Sequence, residues 1–198
     1  QLLLKWNYSN SEINNNALAY SISNPIGGIN GLYRVEKFNL SGGFNTEIKI
    51  WEDADFHVRL AATNANFFVI EETLCTSLRR SISASSNQTL AWINRSILLE
   101  EYANIYNNNA TILKVIGIEA QKAASNLVIL AQFTDAKQML KLSERCNIQV
   151  PKSQSKYGEW PNFFYTQGLE SACTCCTSRL RLKNIDFDFL PSKKIFSS

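Results

Sequence analysis

Two adjacent carboxylates, Glu52 and Asp53, stand where a Ser41-Gly42-Gly43-Phe44-Asn45 turn gives way to the run Trp51-Glu52-Asp53-Ala54-Asp55-Phe56-His57-Val58-Arg59-Leu60. A Gly-Gly pair permits a backbone path that side chains would block. Three acids then open a short amphipathic helix, where unpaired amides favour negative charge. Such a site can hold a carboxylate ionised and aimed. The plainer reading is that Glu52, Asp53 and Asp55 only cap and charge a helix start, as acids do in many proteins.

The surrounding residues extend the pattern from about Asn24 to Ser85. Ile26-Gly27-Gly28-Ile29-Asn30-Gly31-Leu32-Tyr33-Arg34 comes first, then a helix-like Val35 to Leu40, then Gly42-Gly43-Phe44-Asn45, and finally Glu52-Asp53. In this order the set resembles the second half of the inverting, family-2 glycosyltransferases of the GT-A fold, in which an acidic ED pair begins a helix after a Gly-Gly-Phe turn. The whole ordered set is far more specific than any single piece. It covers about a third of the chain, and nothing after Ser85 adds to its chemistry.

The resemblance implies an α/β fold: a partial GT-A-type half-domain, the acceptor side, over residues 1–88. A helical extension over 89–150 and a linker with a C-terminal helical tail over 151–198 follow. It implies transfer of a sugar from a nucleotide-sugar donor to a hydroxyl of a glycan acceptor, with inversion. Asp53 would be the general base, because an ionised Asp within about 2.6–3.2 Å of a hydroxyl can take its proton as attack proceeds. Glu52 would position the acceptor or the loop. Trp51 could stack on a sugar face or belong to the core. Arg79 and Arg80 resemble the basic loop that closes over the departing diphosphate; where relatives carry a histidine a short step later, this chain has Ser81 or Ser83. His57 reads as a surface or satisfied core histidine.

In the same family an Asp-x-Asp signature in the preceding half holds a divalent metal, Mg or Mn, on the donor diphosphate. No Asp-x-Asp precedes Gly42. The triplets Asp53-Ala54-Asp55 and Asp186-Phe187-Asp188 stand outside that context. The metal is therefore expected in the intact enzyme with ligands outside this chain, the donor-binding half is absent, and the fragment alone is expected to be inactive. The alternative is a non-catalytic helical interaction module, centred on Asn87 to Asn147, attached to a remnant of the transferase fold. A weaker third reading is a different α/β enzyme that shares the turn by coincidence.

The elements that must position these residues read as follows. Gln1 to Asn24 is polar and rich in Asn and Ser, hence loop with one short element. Ile26 to Arg34 mixes β-branched residues with glycines and reads as a strand, as does Phe67-Phe68-Val69-Ile70. A further strand is expected to end near Leu78. Between them, Ala54, Val58 and Ala61 give a helix over about 53–64 one buried face, with Asp55 and Arg59 pairing across its outer face. Beyond Asn87, Leu90, Ile93, Ile97, Leu98, Tyr102 and Ile105 recur at helical spacing. Asn107-Asn108-Asn109 breaks that helix, a second runs from Ile112 to Phe133, and Thr134 caps a third. Three helices with short breaks suggest a bundle or a helical hairpin array. Pro151 to Pro161 is linker-like, and a last helix is expected over about 163–182.

Composition narrows the classes. The 198 residues are 45% hydrophobic and 19% charged, enough apolar surface for a globular core. Twenty basic and 17 acidic residues are spread along the chain, giving +3, so no field suited to nucleic acid is implied. The longest apolar run, Leu127-Val128-Ile129-Leu130-Ala131, is far too short to span a membrane. Five cysteines without framework spacing suggest reduced thiols and a cytoplasmic setting. A severed sheet edge would favour self-association.

Overall fold

The computed structural model describes residues 8–27, 31–70, 72, 74 and 87–149, with the backbone pairing of 154–155 and 158–159. Among these, seven helices follow in order: α1 (Asn10–Asn15), α2 (Ala17–Ser23), α3 (Val35–Leu40), α4 (Glu52–Ala62), α5 (Gln88–Ile105), α6 (Ala110–Ile129) and α7 (Phe133–Arg145). The strand pairing among the described residues is one antiparallel ladder of β1 (Gln154–Ser155) and β2 (Gly158–Glu159), outside the motif-bearing segment.

The expected α/β half-domain of GT-A type is overturned. A strand persists only where its backbone groups find a ladder partner, and no described residue supplies one to Ile26, Gly27 or 31–34. Phe67–Ile70 is also outside any sheet. The polar N-terminal stretch, expected as loop with one element, forms two helices. Its polar residues are the reason: the Ser9 hydroxyl accepts from the Glu12 amide at 3.3 Å and the Asn16 side chain from the Ala19 amide at 3.0 Å, capping α1 and α2. The same device starts α5 and α6, where Asn87 and Asn109 accept from the amides of Leu90 and Ile112 at 3.0 and 3.1 Å. The further strand expected to end near Leu78, Arg79-Arg80 and the region beyond 160 lie outside the described residues.

One apolar interior joins the two parts of the chain. Ile22 of α2 and Val58 of α4 pack with Leu98, Leu99 and Tyr102 of α5, Ile116, Ala120 and Leu127 of α6, and Met139 and Leu142 of α7. Burial of such side chains is worth about 1.5–3 kcal/mol each. Alanines at 120, 123 and 124, all buried, bring α6 close to its neighbours. A smaller cluster of Ile13, Tyr20 and Ile26 sits beneath Phe67 and Val69.

A charged rivet crosses this interior. Arg95 of α5 is 2% exposed, donates to the carbonyl of Ile22, lies 3.7 Å from Glu119 of α6, and sits 5.6 Å above the Trp51 ring. Burial lowers its pKa, opposed by the Glu119 charge. Lys122 holds Glu119 from the other side at 2.6 Å. The α6–α7 join differs from the expected helix to Phe133. The chain reverses at Ala131 with φ 58°, the Gln132 amide reaching back to the Leu127 carbonyl at 2.8 Å and the Ala131 amide to Val128 at 3.0 Å. Gln132 becomes the N-cap of α7 and Thr134 lies inside it.

Candidate functional site

The Gly-Gly turn is the C-terminal cap of α3. The Gly43 amide donates to the Phe38 carbonyl at 3.1 Å and the Gly42 amide to Asn39 at 3.0 Å, the paired bonds of a Schellman ending. Both glycines are left-handed, φ 80° and 66°. A Cβ on Gly43 would also meet the Phe38 ring at 3.0 Å. The turn carries Phe44 onto an aromatic cluster, its ring centroid 4.7 Å from Phe56 and 5.9 Å from Phe38.

Trp51, the N-cap of α4, is left-handed as well, φ 79°. A bulky residue held there costs roughly 1–2 kcal/mol. Its side chain explains the constraint: the indole N–H donates to the Ala91 carbonyl of α5 at 2.6 Å, and the ring lies against Trp92 and beneath Arg95. The structure thus places this ring on α5.

The three acids of the first turn separate into distinct environments. Asp55 is buried, contrary to the outer-face pairing expected for it. It takes the Nε of Arg59 at 2.8 Å and the hydroxyl of Tyr102 at 3.1 Å, and Arg59 in turn donates to the Ser41 carbonyl, tying α4 to the glycine turn. Glu52 and Asp53 are half-buried at the start of α4. Asp53 Oδ1 accepts from the Ala54 amide at 2.7 Å.

His57 sits one turn after Asp53, 2% exposed. Its Nδ1 is 2.6 Å from the Asp53 carbonyl, which can only accept, so Nδ1 carries the proton. Nε2 then accepts from the Tyr33 hydroxyl at 2.9 Å. Burial lowers the His57 pKa, against the charge of Asp53 and hydrogen bonds to the Asp53 and Ile26 backbone, which favours the neutral ring. Burial and the Asp53 charge push Tyr33 up to about 12, so its hydroxyl remains a donor. The Tyr33 ring meets Phe56 edge-on at 4.9 Å. Gly31 leaves the space this hydroxyl occupies, since a Cβ there would overlap it. The pair reaches the Asp53 backbone, so His57 fixes where the aspartate stands.

Asp53-Ala54-Asp55 does not fit a divalent cation: Asp55 is committed to Arg59 and Tyr102 in the interior, and no group of three His, Cys, Asp or Glu suited to a metal occurs among the described residues. Arg79, Arg80, Ser81 and Ser83 lie outside the described residues. A cleft of about 520 Å³ lies by the other end of α4, lined in part by Asn15, Asn64, Asn66 and Tyr106, and does not include Asp53. No helix among the described residues is long and apolar enough to cross a membrane.

Sequence reasoning named Asp53 but missed Tyr33 as its neighbour. No local pattern marks this tyrosine; only the fold brings its hydroxyl to His57. No family, curated protein or solved structure matches the chain.

Proposed function

We propose that Asp53 is the general base of a sugar transfer to a glycan hydroxyl, acting with a nucleotide-sugar donor held by groups outside residues 1–198. One observation supports this reading above the others: the half-exposed Asp53 stands at a helix start whose backbone is clamped through Trp51, His57 and Arg59. Such preorganisation is what a base needs to meet a hydroxyl in line. The acceptor oxygen forms its bond to the anomeric carbon while its proton passes to the Asp53 carboxylate. The bond from that carbon to the diphosphate oxygen breaks on the opposite face, leaving the configuration inverted. Glu52, beside it, orients the acceptor. Trp51 contributes through the turn it holds.

The test is Asp53→Asn in a protein supplied with its donor-binding groups. Transfer should fall by about 10²-fold or more with an unchanged melting temperature. Near-normal turnover removes the assignment.

A second reading draws on α5, where Leu90 and the 60% exposed Ile97 lie seven residues apart on one face. There the helical region would bind a partner without catalysis. Ile97→Glu would then abolish partner capture, while Asp53→Asn would be silent.

A further inference from the structure

The extended segment Phe67–Ile70 is paired along one edge by side chains. Asn10 donates from Nδ2 to the Val69 carbonyl at 2.9 Å and accepts the Val69 amide on Oδ1 at 2.6 Å. Asn14 does the same for Phe67, at 2.8 and 3.2 Å. Two carboxamides on successive turns of α1 thus imitate the edge of a neighbouring strand. The match is metric: four helical residues advance about 6 Å, and two strand residues about 6.6 Å.

This arrangement has a consequence for the other edge. When the N–H and C=O of residues 67 and 69 face one side of an extended chain, those of 68 and 70 face the other. Among the described residues, Phe68 and Ile70 have no backbone hydrogen bonds. Phe67 and Val69 pack on the small cluster of Ile13, Tyr20 and Ile26, while Phe68 is 84% and Ile70 52% exposed. The stretch carries neither charge nor proline, the usual protections of an edge strand.

We propose that this edge pairs with the same edge of a second copy of the chain, antiparallel about a two-fold axis at Val69. Phe68 then stands opposite Ile70 of the second copy and Ile70 opposite its Phe68, each pair exchanging both backbone bonds. The second copy is the favoured occupant because the register is self-complementary and free of like-charge opposition. Each exposed Phe68 covers an exposed Ile70. The inference is independent of the role given to Asp53.

Light scattering of the full 198-residue chain, combined with amide hydrogen exchange, tests it. A dimer should accumulate up to about 200 µM, with Phe68 and Ile70 amides gaining protection as it forms, while Phe67 and Val69 are protected throughout. Phe68→Pro, which removes one edge amide, should give a monomer with unchanged helical circular dichroism. Phe68→Lys alters only an exposed side chain and keeps the backbone, and should weaken dimerisation about tenfold or more through charge at the edge. A wild-type monomer at that concentration, or a dimer that survives both substitutions, overturns the proposal. Concentration-independent protection of Phe68 and Ile70 in a monomer assigns the edge to another segment of the same chain and overturns it equally.

Discussion

The Tyr33 hydroxyl donates to Nε2 of His57 at 2.9 Å, and the far side of the same ring donates to the backbone carbonyl of Asp53. The neutral imidazole satisfies both ring nitrogens in this arrangement, and burial of the ring opposes its charging.

This makes stability pH-dependent with a defined sign. Burial lowers the folded His57 pKa below its ordinary 6.5, so between the two values the unfolded chain binds more protons. Stability from this residue is full above about pH 6.5 and is lost as pH falls toward the folded value. Denaturant titrations from pH 7.5 down to 5.5 should show a shallower loss in His57→Gln than in wild type.

Gly43→Ala should cost more than Gly42→Ala. Both positions are left-handed, which alone costs about 1–2 kcal/mol. Only Gly43 also presses on the Phe38 ring at 3.0 Å, whereas Gly42 has Arg59 at 3.6 Å. Thermal unfolding of the two variants checks the order.

Tyr102→Phe should destabilise by about 1.5–3 kcal/mol, the range for a hydrogen bond to a charged group, because it strips a partner from buried Asp55. Asp53→Asn should leave the melting temperature unchanged. Equal losses in the two variants would show that the acids of α4 are not divided between support and exposure.

Gly117→Ala reverses a usual expectation. Alanine in a helix interior gains up to about 1 kcal/mol over glycine. Here its Cβ would meet Ile148 at 2.5 Å and Cys146 at 2.9 Å, and overpacking costs about 1–3 kcal/mol. A net loss is expected in chemical denaturation.

The helices were legible where the signal is local. Acids followed by Ala54, Val58 and Ala61 marked α4, and the apolar period from Leu90 to Ile105 marked α5, each within two residues of the observed span. The α6–α7 break was not, since Ala131 turns left-handed without the glycine that announces such a turn. The strands failed for a non-local reason. β-branched runs such as Ile26 to Arg34 describe a surface that fits a sheet, but a ladder depends on a partner elsewhere. At the candidate site, the place of Asp53 in the first turn of a helix was legible from the residues before it. The burial of Asp55 was not, because Tyr102 lies 47 residues away in sequence.

Trp51 reaches across to Ala91, and Ile22 and Val58 share an interior with α5, α6 and α7. A polypeptide ending at residue 88 would therefore be no miniature of the acid-bearing part. It would arrive with its greasiest faces bare and its tryptophan unmoored. Anyone trimming this chain in search of a smallest folded unit should keep everything through residue 149.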